Sequence, residues 1–276
     1  MSIRASVRRA VYSRPVDIDA YLRRIGLSTR PERTLEGLAE LGLAHLCAVP
    51  FENLDIAAGR PLSLELEAIY DKLVVRRRGG FCYELNGLFA WLLRELGFEV
   101  TLLAGRLVDP TTGVPGPERA HLALLVELDG PWLVDIGWGE AYRRPFALRG
   151  GNVHVDEGIA SYRLEEEGGR WQVVERHDDS LETNLKPTPG WRIAYRFDLT
   201  PRALVDFAET CRWQETESPF FTSHRFCTLA TPAGRRTLMD DRLIVRAAGR
   251  RTERNVSEEE WPALLDELFG VRDALI

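Results

Sequence analysis

Cys82 is the residue whose surroundings in the sequence best suit a nucleophile. It follows the pair Gly79-Gly80 and begins a stretch with apolar residues at helical spacing: Leu85, Leu88, Phe89, Leu92, Leu93 and Leu96. The first turn of a helix has free N–H groups that favour an anion, so a thiol placed there loses its proton more easily. A buried, inert cysteine is the alternative interpretation. The two glycines weigh against it because they let a ligand or another backbone approach closely.

A cysteine nucleophile needs a general base that a third group holds in orientation. The candidate bases are the five histidines of the chain: His45, His121, His154, His177 and His224. His121 begins an apolar strand over 121–128, and a turn at Asp129-Gly130 leads into the segment 131–139, which contains Asp135. A buried carboxylate within an apolar strand is costly unless it is paired. His121 on the neighbouring strand is its natural partner, and a core histidine with a strand-end aspartate is the alternative.

The hairpin geometry constrains this pair. His121 and Asp135 share a face only if the loop holds an odd number of residues, which Asp129-Gly130-Pro131 supplies. An ideal ladder with that loop leaves the two side chains four residues apart, or about 13 Å along the strand. Direct contact therefore requires strong coiling, a bulge or a different pairing.

The elements that must carry these residues fall into three regions. Helices are predicted at roughly 17–25, 33–48, 63–76 and 81–96, then short strands over about 98–190. After Gly190 the chain mixes types, with a helix over 201–212, strands near 224–230 and 236–247, and a last helix from Ser257 to about Gly270. We therefore predict domains at 1–95, 96–190 and 191–276.

Composition limits the class of protein. The 276 residues carry a net charge of −6, which argues against a broad nucleic-acid-binding surface. No apolar run approaches the roughly 18–20 residues that span a bilayer, and the first residues lack the apolar core of a signal peptide. The four cysteines have no framework or metal-ligand spacing, which predicts free thiols in the cytoplasm and no metal site. Two segments have plain interpretations: Val49–Leu54 as a connection between helices, and Arg76-Arg77-Arg78 as a solvated helix end.

Five segments together resemble the arylamine N-acetyltransferase family. In chain order they are Pro50-Phe51-Glu52-Asn53-Leu54, Arg78-Gly79-Gly80-x-Cys82, the His121 strand, Val134-Asp135-x-Gly137-x-Gly139, and Ser218-Pro219-Phe220. Each is weak alone, but the order and the spacing from residue 50 to residue 221 are specific.

The resemblance implies an α+β fold related to cysteine proteases: an N-terminal helical domain, a central β-barrel and a C-terminal α/β lid. It implies that Cys82 is the nucleophile, His121 the base and Asp135 the orienting acid. Acetyl-CoA would acetylate Cys82, and an arylamine or arylhydrazine would then take the acetyl group in a ping-pong reaction. No metal is implied.

Acceptor specificity stays open in the sequence. By resemblance, Phe51, Phe220 and Phe221 are candidates for the acceptor pocket, together with Trp138, which stands where the family commonly has phenylalanine and would narrow the pocket. Two alternatives use the same triad: an amide synthase that releases an ansamycin-type macrolactam from a polyketide carrier, and a papain- or transglutaminase-like thioester hydrolase. The residues that bind CoA and the oligomeric state also stay open.

Overall fold

The computed structural model describes residues 16–272 except 110–111, 140–141, 150–152, 157–159, 178–189 and 248–249, and the side chains of 153–156 and 177. The described helices are α1 (Ile18–Arg24), α2 (Leu35–Ala48), α3 (Leu54–Ala57), α4 (Leu66–Tyr70), α5 (Cys82–Glu95), α6 (Ala208–Thr216), α7 (Pro219–Ser223) and α8 (Trp261–Phe269). A π-helical turn over Asp71–Val75 follows α4, and 3₁₀ turns at Leu204–Phe207 and Glu258–Glu260 precede α6 and α8.

The strands form two antiparallel sheets. They are β1 (Phe51–Glu52), β2 (Glu99–Leu107), β3 (His121–Glu127), β4 (Pro131–Val134), β5 (Phe146–Ala147), β6 (Val153–Asp156), β7 (Ala160–Glu167), β8 (Arg170–His177), β9 (Arg192–Phe197), β10 (Phe226–Thr231), β11 (Gly234–Met239), β12 (Arg242–Ala247) and β13 (Arg250–Asn255). The central sheet has the order β5-β4-β3-β2-β9-β8-β7-β6, and the C-terminal sheet has the order β1-β10-β11-β12-β13.

Helix α5 is the centre of the largest core. The side chain of Glu84 accepts the Phe81 N–H at its start, and the chain leaves the helix through Gly97 at φ +88°. Most of its residues are buried, and it packs against β2 and β3 of the central sheet. The predicted apolar face is therefore real, and it fixes the helix start against the strand that begins at His121.

The C-terminal sheet includes one strand from the N-terminal helical region. β1 pairs with β10 through Phe51↔Thr228 and Glu52↔Cys227, so the segment expected to be a plain interhelical connection is an edge strand. The single strand predicted over 236–247 is two strands, because the chain turns at Asp240, which adopts φ +49°. The predicted helix over 201–212 starts later, with a 3₁₀ turn from Leu204, and the Asp206 side chain accepts the N–H of Ala203, the residue before this turn.

The predicted fold class is confirmed: an α+β architecture with N-terminal helices, a curled antiparallel central sheet resembling half a barrel, and a C-terminal α/β unit. β9 belongs to the central sheet and β1 to the C-terminal sheet, and the three domain boundaries stay a prediction. In the described part of the chain, no helix is long and apolar enough to cross a membrane.

Candidate active site

His121 and Asp135 form a short, buried hydrogen bond. Nε2 of His121 lies 2.6 Å from Oδ2 of Asp135, and both side chains are at most 2% exposed. A carboxylate oxygen can only accept, so Nε2 carries the proton and Nδ1 keeps the lone pair. This is the arrangement that a general base with an orienting acid requires.

The strand register explains how the two residues meet. β3 and β4 pair through Glu127↔Pro131 and Leu124↔Val134, so the loop is 128–130 and not the expected 129–131. Extending this register places Asp135 opposite Ala123, two residues from His121, and the imidazole spans the remaining gap. The predicted separation of four residues between His121 and Asp135 is therefore wrong. Moving the loop by one residue reduces this separation to two.

Asp135 is held by four donors. Its Oδ2 accepts from His121 and from the Tyr195 hydroxyl at 3.0 Å, and its Oδ1 accepts from Asn86 Nδ2 at 2.9 Å and from the Gly137 N–H at 3.0 Å. Burial and the nearby Asp135 raise the pKa of Tyr195, so the hydroxyl keeps its proton and donates. A carboxylate with four donors is satisfied inside the core and fixed in orientation.

Asn86 connects the nucleophile helix to both partners. Besides Asp135, its amide nitrogen donates to the Leu122 carbonyl at 2.6 Å, and its oxygen accepts the Ile136 N–H at 3.1 Å. Sequence analysis missed Asn86 and Tyr195. Asn86 had a usable signal, since it lies one helical turn after Cys82 on a buried face. Tyr195 had none, because its partner Asp135 is 60 residues away.

Gly137 lets this segment lie directly against Cys82. A Cβ built at Gly137 would be 2.6 Å from Asn86 Nδ2 and 2.7 Å from Cys82 Cα, distances that a real methyl group essentially never shows. The bend after β4 therefore packs on the first turn of α5 with only a hydrogen atom between them. The structure thus brings Cys82, His121 and Asp135 to one place, between α5, β3 and the end of β4.

The helix start does not by itself release the proton of Cys82. Burial raises the pKa of the Cys82 thiol well above its ordinary value, and the Asp135 carboxylate raises it further, while the N–H groups of Leu122 and Tyr83 lower it. This outcome is contrary to the expectation from helix position. A thiolate at Cys82 needs a group beside it that takes the proton and becomes positive. His121, whose neighbour Leu122 directs its N–H at the sulfur, is the candidate for that base.

A buried ion cluster supports the loop before Cys82. It consists of Glu52, Asp55, Lys72, Arg78 and Glu84. Lys72 Nζ lies 2.9 Å from Glu84 and 2.8 Å from Asp55, and Arg78 lies 2.8 Å from Glu52 and 3.2 Å from Asp55. Burial lowers the pKa of Lys72, but the three carboxylates together raise it above its ordinary value, so the ammonium stays charged. Arg78 is fully buried, so its interpretation as a solvated helix end is wrong.

Four aromatic rings lie next to residues 78–81, which precede the candidate nucleophile Cys82 and which we call the nucleophile loop. We call Phe51, Phe220, Phe221 and Phe226 the aromatic wall, of which the first three are partly exposed and Phe226 is buried. Phe226 stacks on Phe51 at 5.5 Å between ring centroids and contacts Phe220 at 5.5 Å and Phe221 at 6.0 Å. Phe221 reaches Phe81, the residue before Cys82, at 6.1 Å. Three of the predicted pocket residues are therefore brought together beside Cys82.

Trp138, the fourth, lies over the His121–Asp135 pair. Its ring contacts His121 at 5.4 Å and Tyr195 at 5.7 Å, and its Nε1 donates to Glu175 at 3.2 Å. Glu175 is buried and is paired with Arg192 at 2.8 Å. The indole N–H thus has an acceptor that a phenylalanine at this position would not need.

The two other histidines with described side chains, His45 and His224, are not part of this constellation. His45 is fully buried in the helical core, with Nδ1 at 2.9 Å from the Tyr21 hydroxyl, and burial lowers the pKa of His45 to about 3. His224 is half-exposed and bonds Asp240 at 2.7 Å. The side chains of His154 and His177 lie outside the described residues. Among the described residues, no group of three or more histidine, cysteine, aspartate or glutamate side chains could hold a metal ion.

This fold and site define a class: α+β proteins in which a cysteine at a helix start meets a histidine–carboxylate pair carried by an antiparallel sheet. Comparison with known proteins narrows the class. A family model described as N-acetyltransferase matches residues 34–274. Arylamine N-acetyltransferase 2 of Mus musculus is 34% identical over 274 residues, which covers 93% of this chain and 94% of the mouse protein.

Solved structures agree. The arylamine N-acetyltransferase of Salmonella typhimurium superposes with a TM-score of 0.84 at 32% identity, covering 92% of this chain and 91% of that one. The Mycobacterium marinum enzyme in complex with CoA gives 0.81 at 31% identity, with 94% of each chain covered. The chain belongs to the arylamine N-acetyltransferase family.

Proposed function

We propose that this chain transfers an acetyl group from acetyl-CoA to the nitrogen of arylamines and arylhydrazines through an acetylated Cys82. The observation that carries the proposal is the buried His121–Asp135 pair, which is held against the first turn of α5 because Gly137, in the bend after Asp135, lies directly against Cys82. Family membership supplies the substrates, since the relatives are arylamine N-acetyltransferases and one was solved with CoA.

In the first half-reaction, Cys82 passes its proton to Nδ1 of His121, and the thiolate attacks the thioester carbonyl of acetyl-CoA. The N–H groups of Tyr83 and Leu122, which point at the sulfur, stabilise the thiolate and can then serve the oxyanion as the sulfur loses its charge. The tetrahedral intermediate collapses, the CoA sulfur leaves with the proton from His121, and Cys82 is acetylated.

In the second half-reaction, the amine attacks the acetyl-cysteine and its proton moves to His121. Collapse of the intermediate breaks the bond to sulfur, so the N-acetylated product leaves and Cys82 is restored. Asp135 holds the His121 ring in orientation throughout and stabilises its protonated form in each half-reaction, because three further donors fix the carboxylate in place. The ring of Trp138 covers the pair and limits the access of water.

We assign the acceptor to the aromatic wall, with Trp138 on the side of His121. Flat rings suit this surface because Phe51, Phe220 and Phe221 offer faces and edges at ordinary ring-contact distances. We place the protein in the cytoplasm, a reducing compartment, since the four cysteines are free.

Release of CoA from acetyl-CoA, measured with and without 4-aminobenzoate or hydralazine, tests the proposal. We expect release that depends on the amine, that is lost in Cys82→Ser, and that persists in Cys47→Ser, a control at a partly exposed thiol. Full activity in Cys82→Ser would refute the mechanism. Rapid release that the amine does not accelerate would instead indicate the thioester hydrolase.

A further inference from the structure

The side chain of Asn53 is completely used in holding the aromatic wall. Its amide nitrogen donates to the carbonyls of Phe221 at 3.0 Å and His224 at 2.6 Å, and its oxygen accepts the Phe226 N–H at 2.9 Å. The residue is 2% exposed. Both N–H donors and the oxygen of the buried Asn53 amide therefore form hydrogen bonds to a single segment, 221–226, which is about 170 residues away in the chain.

The residues beside Asn53 hold the nucleophile loop. The Glu52 N–H donates to the Gly80 carbonyl at 2.9 Å, and the Gly80 N–H donates to the Pro50 carbonyl at 3.2 Å. The Glu52 carboxylate pairs with Arg78. A Cβ at Gly79 would lie 2.3 Å from the Pro50 carbonyl, so the two segments are in the closest contact that backbone allows.

Residues 50–54 thus contact two segments at once. Pro50 and Glu52 bond the loop that ends at Cys82, and Asn53 bonds the segment with Phe221 and Phe226. The wall has further ties. The Asn53 backbone N–H donates to the Phe226 carbonyl at 3.3 Å, next to the β1–β10 pairs, and Asp240 accepts from the Arg225 N–H at 3.0 Å and bonds the His224 ring. The backbone ties hold the Phe226 end of the wall, and the Asp240 bonds reach the C-terminal sheet only, whereas the Asn53 amide also holds the carbonyls of Phe221 and His224.

We propose that Asn53 is a positioning residue that sets the place of the aromatic wall relative to Cys82. It acts on the second half-reaction, in which the arylamine binds, and not on acetylation of Cys82 by acetyl-CoA. This inference rests on the proposed function, because it takes the wall as the acceptor site. The physical reason is that Glu52 and the glycine contacts hold the nucleophile loop without Asn53, while the wall loses three of its anchors when the amide is removed.

Two variants test this. Asn53→Asp keeps the shape and an acceptor for the Phe226 N–H but lacks both donors, and Asn53→Ser also lacks the length. We expect the KM for 4-aminobenzoate to rise about tenfold, while the rate of first-turnover CoA release without amine stays within twofold of the wild type. The exposed Asn255→Asp is the matched control and should change neither.

A double-mutant cycle shows whether Asn53 works through the wall. In a Phe221→Ala background, Asn53→Ser should change the KM for the amine less than twofold. Full additivity, an equal loss in the first turnover, or an unchanged KM in a folded variant would each overturn the proposal, as would failure of both Asn53 variants to fold. A wild type that acetylates but never transfers to an amine would refute the proposed function itself.

Discussion

One methyl group at residue 137 tests whether the close approach of the Asp135 bend to Cys82 supports activity. In Gly137→Ala the new Cβ would start 2.6 Å from Asn86 Nδ2 and 2.7 Å from Cys82 Cα, against 3.4 Å or more in ordinary contact. Because Cys82 Cα is helix backbone, the bend must retreat by roughly 0.7 Å. Such a shift disturbs the bond from Gly137 N–H to Asp135 and the geometry of the 2.6 Å bond to His121.

The expected cost follows from this displacement. A misplacement near 1 Å lowers catalysis about 100-fold, so we expect a 10- to 100-fold loss in amine-dependent CoA release. Overpacking costs about 1–3 kcal/mol, which the smaller unfolded-state entropy of alanine offsets by about 0.4–1 kcal/mol. Urea unfolding should therefore show a net destabilisation of about 1–2 kcal/mol.

Gly139→Ala is the matched control. Its Cβ would meet only ring atoms of Phe51 at 3.2 and 3.4 Å and a Thr228 methyl at 3.9 Å, which small side-chain movements relieve. In the first turnover with acetyl-CoA, in which Gly137→Ala should also lose about 10- to 100-fold, we expect this variant to keep more than half of the wild-type rate. If Gly137→Ala retains activity within twofold, or if Gly139→Ala loses as much, the close approach is not what holds the triad.

Three further outcomes follow from the structure. Lys72→Met leaves the buried carboxylates without one of their cations, so the free energy of unfolding in urea should fall by about 3–5 kcal/mol. The double variant with Glu84→Gln should regain part of that loss. An unchanged free energy of unfolding in Lys72→Met would show that the cluster is hydrated. Trp138→Phe removes the hydrogen bond to Glu175. We expect the kcat/KM of bulkier arylamines to rise relative to that of 4-aminobenzoate. An unchanged ratio of the two kcat/KM values would place the indole outside the acceptor site. Because burial lowers the pKa of His45 to about 3, the unfolded chain binds a proton below pH 6.5 that the folded chain does not. Stability should thus fall as the pH drops, by about 2 kcal/mol between pH 6.5 and pH 5, and the pH slope in urea titrations should flatten in His45→Gln; parallel slopes would refute this.

Local patterns were enough for the elements that carry the site. The 3.6-residue spacing after Cys82 predicted α5 to within a residue at each end, because an amphipathic face depends on near neighbours. The parity argument for His121 and Asp135 was also correct, since the side-chain period of a strand is fixed by the backbone. The loop was off by one residue, because turn choice depends on packing as well as on the local sequence.

The tertiary structure decided what surrounds these residues. The roles of Asn86, Tyr195 and Asn53 depend on partners 36 to 173 residues away, and no local period encodes such pairs. The direction of the Cys82 pKa was also decided there, since burial outweighs the helix start and can be known only once the core is assembled. From the sequence alone came the family and the candidates for the nucleophile, its base and its acid, because motif spacing records which chemistry is present. How those groups are held, and which of their neighbours do the holding, was determined only when distant segments packed together.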